Sequence, residues 1–471
     1  MTAIDAYHLP GLREGDVARW NIREYGGGEV RLRVPVLEPP VLEAVVERLR
    51  VARANYLEAR PVGDVVRAID LAARRLADRG DPRRELAERA LPAVTGYSPP
   101  MVRLVLDRMA ADWTEPALAS LLRSEFGDPA VLDTFRPRPG GNGRDRVRAF
   151  GPALAFHVFA GNVPGVAVTS LVRSLLVKAA TLGKTASGDP LLPALFARTL
   201  AEVDPELGEC IAVTYWPGGS AELEEIALRA AETVVVYGGE EAVAGVRART
   251  PAGTRLVVHG PRISLVALAR ESLAADRAPR VAEEVARAAA IFDQQGCVSP
   301  HLVYAERGGD IPPEDFAGLL AKAMEGVERE LPRGRISAAE AAAIQQLRGA
   351  AEWRALGGRD VRLLASEGTE YTVLYEADPA FAASCLNRVV RVKPIDSLDA
   401  IVQELAPYAA FLQTVGVDAP MARRLDLAER LGRVGVSRVT TLERMPWPPP
   451  DWHHDGQEPL RELVRWVDLE G

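Results

Sequence analysis

Residues 152–190 read PALAFHVFAGNVPGVAVTSLVRSLLVKAATLGKTASGDP. The apolar run PALAFHVFA predicts a buried strand, GNVPG a turn, and VAVTSLVRSLLVKAA a helix. The alternation continues with the strand IAVTYW at 211–216, a helix over 221–231, the strand TVVVYGG at 233–239, a helix over 241–249 and the strand TRLVVHG at 254–260. Strands alternating with helices predict a parallel sheet covered on both faces, with ligands at the carboxyl ends of its strands. A second α/β stretch follows, with ISLVALA at 263–269, a helix over 282–292, and the strands HLVYAE at 301–306, VRLLA at 361–365, TVLY at 372–375 and VVRVKP at 389–394, with helices between. Upstream, residues 42–59, 64–79 and 99–113 carry apolar residues three and four apart and read as helices. RPRPGGNGRDRVR at 136–148 breaks that pattern with Pro, Gly and five arginines, as a hairpin tip or boundary would, against the plainer reading of a solvated loop. The turn PWPPPDWHHDG at 446–456 precedes the tail PLRELVRWVDLEG.

At 471 residues the chain predicts about three structural parts at roughly 150 residues each. Its 48% hydrophobic and 26% charged residues exclude a disordered or collagen-like chain. A formal charge of −8 gives no general attraction to nucleic acid or anionic membranes. Cys210, Cys297 and Cys385 are too few for a disulfide framework and show no metal-type CxxC spacing, so no metal is expected and the compartment reads as reducing. The first twenty residues lack a basic segment followed by an apolar core, and no stretch reaches 18 uncharged apolar residues. The expectation is a cytoplasmic protein with no transmembrane segment.

Familiar motifs are mostly excluded. LGKT at 182–185 resembles the end of a phosphate-binding loop, but Lys178 stands where its first glycine is required. Neither GxSxG nor HExxH occurs, and GNG at 141–143 is followed by Arg146 where a dinucleotide fingerprint needs glycine. Gly218-Gly219 and Gly238-Gly239 remain, each between a strand and a helix, where backbone N–H groups could face a pyrophosphate; tight turns are the competing reading. Cys297, in the loop DQQGCVSP, can present a thiol beside strand ends, whereas Cys210 and Cys385 sit in apolar contexts that read as core. His301 is four residues from Cys297, a spacing that does not establish a dyad.

FHVFAGNVPG, TASGDP, VVVYGG and FDQQGCVSP, in this order, resemble the acyl-CoA reductase family of the LuxC type, within the aldehyde dehydrogenase superfamily. The likeness runs from about residue 40 to HDGQEPLRELVRWVDLE and is weakest over the first forty residues. It implies an α/β fold with two doubly wound parallel-sheet domains, the first with five strands, a small oligomerisation arm and an N-terminal helical region. The parts fall at 1–127 (helical part of the cofactor domain), 128–150 (hairpin arm), 151–258 (dinucleotide-binding part), 259–445 (catalytic domain) and 446–471 (tail completing the arm). The resemblance assigns Cys297 as nucleophile and Asn162 as amide donor to the oxyanion, the latter read otherwise as an Asx-type turn residue. It places Lys184 at the adenosine ribose, Gly238 and Gly239 at the pyrophosphate, and Phe159, Ala160, Gly161, Ser187 and Gly219 among the cofactor contacts.

Two departures shape the expected reaction. Hydrolytic relatives carry a glutamate just before the glycine matching Gly260, where LVVHGPR offers no carboxylate to activate water. NAD-preferring relatives hold the ribose with a glutamate three residues after the lysine, and here that position is Ser187, which removes repulsion against a 2′-phosphate. The glutamate that grips the nicotinamide ribose has no identified counterpart in CLNRVVRVKP. The resemblance therefore implies NADPH-dependent reduction, with NADH the lesser cofactor, of a fatty acyl thioester on CoA or acyl carrier protein to the aldehyde through an acyl-cysteine. It further implies a homo-oligomer, with an acyltransferase or acyl-protein synthetase as a further partner. The competing readings are a cofactor-independent acyltransferase or thioesterase using the same cysteine, and a catalytically silent scaffold.

Overall fold

The computed structural model describes residues 3–140 and 144–471. The chain forms two compact units, one of Met1–Thr95, Val102–Gly260 and Pro449–Gly471, the other of Gly96–Met101 and Pro261–Pro448. The GNG of residues 141–143 lies outside the described residues.

The first unit opens on strands, where a helical region was expected. β1 (Ile4–Asp5), β2 (Trp20–Tyr25) and β3 (Val30–Pro35) make a sheet in the order β1-β3-β2, with β2 and β3 an antiparallel hairpin. Its turn runs through Gly26, Gly27 and Gly28, whose φ values of 62°, 70° and 96° favour glycine. Val30, Leu32 and Val34 are buried between less buried Arg31 and Arg33, the period-two pattern of a half-covered strand. Helices follow at Pro39–Ala52, Val62–Ala77 and Pro82–Thr95, and again at Glu115–Phe126. The arginine-rich tract then supplies β4 (Arg136–Pro137) and β5 (Arg146–Phe150), so it is a paired hairpin rather than a merely solvated loop.

The five strands that follow are β6 (Leu154–Val158), β7 (Ala180–Lys184), β8 (Ile211–Thr214), β9 (Thr233–Tyr237) and β10 (Arg255–His259). They pair in parallel in the order β10-β9-β6-β7-β8. The order reverses between β6 and β9, which sets the loops after these strands side by side at the carboxyl edge, the usual ligand crevice of such sheets. One sequence expectation fails here. The helix expected to run to residue 180 stops at Leu176, Lys178 turns the chain at φ 63°, and β7 begins at Ala180. In LLVKAATLG apolar residues crowd both sides of Lys178, and periodicity cannot separate a buried helix from a buried strand.

The second unit holds β11 (Ile263–Leu268), β12 (Pro300–Glu306), β13 (Val361–Ala365), β14 (Thr372–Glu376), β15 (Val389–Ile395), β16 (Leu412–Asp418) and β17 (Arg438–Thr440). Their order is β13-β14-β15-β12-β11-β16-β17, parallel except for the pair β13–β14. VRLLA and TVLY are thus an antiparallel edge hairpin with no helix between them, a correction to the expected alternation. Leu265, Ala267, Leu302, Tyr304, Val415 and Val417 build the core on one face, under the helices Leu398–Leu405 and Met421–Arg433. β18 (Arg465–Leu469), in the first unit, pairs antiparallel with β5, so the tail and the arginine-rich hairpin join in one small sheet, β18-β5-β4.

Candidate functional site

In the first unit the expected cofactor residues gather at the carboxyl edge of the five-stranded sheet. Phe159 to Asn162 follow β6, Lys184 ends β7 and Ser187 follows it, Gly218 and Gly219 follow β8, and Gly238 and Gly239 follow β9. The Phe159 N–H donates to the Lys184 carbonyl at 3.0 Å, which ties the first two loops together. The fit is close: a Cβ on Gly183 would lie 2.6 Å from the Phe159 ring, and one on Gly161 would lie 2.9 Å from Gly188 Cα. Asn162 is exposed, next to the buried Pro164 and Gly165 (φ 94°), which start the helix Val166–Leu176. Burial lowers the Lys184 ammonium below its ordinary range, opposed by the Glu224 carboxylate, and its Nζ lies 5.9 Å from the Trp216 ring centre.

The glycine pairs divide differently from expectation. Gly238 spends its N–H on the His259 carbonyl at 3.1 Å, continuing the sheet ladder, so it is not a free donor to a phosphate. Gly218 and Gly239 have neither a left-handed backbone nor any neighbour within 4 Å of an added Cβ. Turn geometry therefore does not demand glycine at those two positions. Only Gly219, at φ 82°, is a turn glycine in the conformational sense.

In the second unit the helix expected to reach residue 292 stops at Ala290, and Phe292, Asp293 and Gln294 follow in left-handed conformation at φ 58°, 48° and 65°. Leu386, Asn387 and Arg388 form a second left-handed run at 64°, 56° and 64°. Each such residue costs about 1–2 kcal/mol, and side-chain bonds hold the two runs against each other. Fully buried Gln294 donates to the carbonyls of Pro300 and Val389 at 2.7 and 2.8 Å and accepts the Val389 N–H at 2.9 Å. Asp293 pairs with Arg388 and accepts the Gly334 N–H at 3.0 Å. Gln295 donates to Asn387 at 3.0 Å, and the Tyr97 hydroxyl donates to the Phe292 carbonyl at 3.0 Å. CLNRVV, which left the nicotinamide ribose contact unassigned, is here the brace of the cysteine loop.

Cys297 emerges from this brace half-buried, its carbonyl accepting from the Ser264 hydroxyl at 2.6 Å. A cation stands within its electrostatic reach: burial pushes the Arg438 guanidinium down to about 10, and Cys297 acts in the opposite sense. His301 forms no general-base partner. It accepts the Ser384 N–H at 3.3 Å, and burial pushes it down to about 4.

A third cluster, unforeseen as a group, lies where β10 meets the tail. His259 Nδ1 is 3.0 Å from Asp455 Oδ2, and the His259 ring stacks between Tyr237 (4.5 Å) and His454 (4.2 Å). The Tyr237 hydroxyl reaches Ser170 at 3.2 Å, and Ser170 meets the wholly buried His157 at 2.9 Å. The ligand atoms of His259, His454 and Asp455 lie within 4.8 Å of one another, near enough for a metal. Imidazole lone pairs, however, lie in the ring plane, and two rings stacked at 19° cannot both aim at one ion. The adjoining cavity of about 20 Å³ has room for a single water. The chemistry here is a hydrogen-bonded His–Asp pair that pins the tail to the sheet.

Residues 57–466 match the family described as acyl-CoA reductase (LuxC). The long-chain acyl-protein thioester reductase of Vibrio harveyi is 25% identical over 421 residues, covering 88% of this chain and 84% of the relative. That of Aliivibrio fischeri is 28% identical over 404 residues, covering 82% and 78%. Among solved structures, the aldehyde dehydrogenase KauB from Pseudomonas aeruginosa superposes with a TM-score of 0.78 at 12% identity, covering 100% of this chain and 97% of that one. The NADP-dependent glyceraldehyde-3-phosphate dehydrogenase from Bacillus halodurans superposes at 0.74 and 13% identity, covering 100% and 99%. The family match takes in the loops after β6, β7, β8 and β9 and the braced cysteine together, and the chain belongs to the acyl-CoA reductase (LuxC) family, oxidoreductases here built on the aldehyde dehydrogenase fold.

Proposed function

We propose that the protein reduces a fatty acyl thioester, carried by CoA or acyl carrier protein, to the aldehyde with NADPH, the acyl group passing through Cys297. The observation that carries this reading is the cysteine loop: a half-buried thiol near Arg438, on a backbone of costly left-handed residues braced from two sides. A nearby cation favours the thiolate, which is the nucleophilic form. Cys297 attacks the thioester carbonyl, the Asn162 amide donates to the oxyanion, and collapse expels the carrier thiolate to leave the acyl-enzyme.

The carboxyl edge of the five-stranded sheet suits a dinucleotide, because Gly218 and Gly239 are glycines the backbone does not require and leave room for a ligand to approach. Lys184 would hold the adenosine ribose, beside Ser187, while Phe159 to Gly161 and Gly219 line the same edge. A bound reduced nicotinamide supplies the hydride. The protein's part in resisting hydrolysis is the absence of a carboxylate at the end of β10. His259 stands at the end of that strand with its Nδ1 bound to Asp455 and its ring packed between two others, and it is the group there whose removal tests the hydrolytic reading. Val258, the residue before His259, is partly buried on the opposite face with Leu256, against the apolar cluster that holds Val236, so no base is offered from that position.

Intact-mass measurement with a long-chain acyl-CoA and no cofactor tests this. One acyl adduct should form and persist, and NADPH should then be oxidised as aldehyde appears. Cys297→Ala should lose both. An adduct that survives Cys297→Ala sinks the assignment, and fast release of free acid without cofactor, lost in His259→Ala, favours the thioesterase reading.

A further inference from the structure

The hairpin of β2 and β3 precedes the residues matched by the family, yet its tip reaches the cofactor edge of the sheet. The Tyr25 hydroxyl donates to the Ser187 carbonyl at 3.1 Å, and Arg23 Nε donates to the Tyr25 hydroxyl at 3.0 Å. The Arg23 guanidinium lies 4.3 Å from the ring centre of Tyr215, the residue that follows β8. Arg23 is thereby fixed between the loops after β7 and β8. Its neighbours on the hairpin are neutralised: Arg33 pairs with Asp5 at 2.6 Å and Glu14 at 2.8 Å, and Arg31 with Glu24 at 3.5 Å. Among the described residues no carboxylate pairs with Arg23. It is half-buried, and its stacking on Tyr215 and the bond to Tyr25 limit its rotamers, so little side-chain entropy would be lost on meeting a ligand.

We propose that Arg23 recognises the phosphate on the adenosine ribose, namely the 2′-phosphate of NADPH. This rests on the reading of that sheet edge as the cofactor site. Position 187 carries no carboxylate to repel that phosphate, and Arg23 supplies the opposite charge through a planar fork suited to phosphate oxygens. The N-terminal hairpin thus acts as a cofactor-selecting strap. The same charge could meet the 3′-phosphate of CoA, so both ribose phosphates enter the test.

Calorimetric binding of 2′,5′-ADP, 3′,5′-ADP and 5′-AMP to the full chain and to Arg23→Ala separates the outcomes without any turnover. The native protein should bind 2′,5′-ADP more tightly than 5′-AMP by roughly 10- to 100-fold, the value of charge-assisted bonds to one phosphate. Arg23→Ala should erase that preference and leave 5′-AMP affinity unchanged, which also shows that the variant is folded, while Arg23→Lys should keep part of it. A 2′ preference retained in Arg23→Ala overturns the role of Arg23 and leaves the cofactor reading standing. Tighter binding of 3′,5′-ADP than 2′,5′-ADP overturns the NADPH assignment of the strap. No binding of any of the three by the native protein overturns the cofactor reading and this one together.

Discussion

Cys210 is wholly buried and burial pushes its thiol up to about 12; burial also raises Cys385. Neither is a competitive nucleophile at neutral pH, so Cys210→Ala and Cys385→Ala should affect stability rather than acylation. Asn162 differs from a core asparagine because its side chain stands exposed, beside the turn of Pro164 and Gly165. Asn162→Ala should accordingly lower kcat by roughly 100- to 1000-fold with the melting temperature almost unchanged. A large loss of stability with normal activity per folded molecule would make it a turn cap instead. Ser187 is also exposed, and Ser187→Glu should weaken NADPH more than NADH. Equal kcat/KM values of the native enzyme for the two cofactors would remove the basis for that expectation.

The loop after β7 and the helix Leu191–Val203 share a buried carboxylate where they meet. Asp189 is buried and accepts the Leu192 N–H at 3.0 Å. Desolvation pushes its carboxyl from 3.8 up to about 6, opposed by the Leu192 and Leu191 N–H groups. Between those two values the folded chain binds more protons than the unfolded one, so this contribution to stability falls as pH rises through that window. Asp189→Asn keeps an accepting oxygen and has no such titration. Its stability relative to the native chain, from urea unfolding, should grow by about 2–3 kcal/mol between pH 4 and pH 7. A constant difference across that range would show that Asp189 titrates normally. The braced cysteine loop is the corresponding element of the second unit, and its partners Gln294–Val389 and Asp293–Arg388 are each separated by 95 positions in the chain.

For the whole molecule, the sheet β18-β5-β4 bears on assembly, because it leaves apolar side chains uncovered. Trp466 is 38% and Leu469 50% exposed, apolar side chains that a lone subunit would leave in water. With this sheet as the arm of a homo-oligomer, Leu469→Lys, which keeps the strand pairing, should shift the assembly to a smaller species in light scattering after gel filtration. Deleting residues 465–471 should do the same, with added loss of stability because Trp466 packs on Phe126 at 5.9 Å. An unchanged mass for both variants would place the oligomer contact elsewhere. No helix among the described residues is long and apolar enough to cross a membrane.

Four of the five strands of the first unit's parallel sheet, the Gly219 turn and the cysteine loop are legible in the chain because each is written locally, as an apolar run, a punctuating glycine or a short motif. β7 is not, because Ala180–Lys184 is short and buried on both faces up to Gly183, and such a segment carries no period to read. The first forty residues hide their strands for another reason: β3 alternates over only six residues. The brace around Cys297, the His259–Asp455 pair and the position of Arg23 between Ser187 and Tyr215 are absent from any local pattern. Each joins residues far apart in sequence, 196 positions in the case of His259 and Asp455, and such pairs exist only once the sheets and the tail have brought them within hydrogen-bond distance.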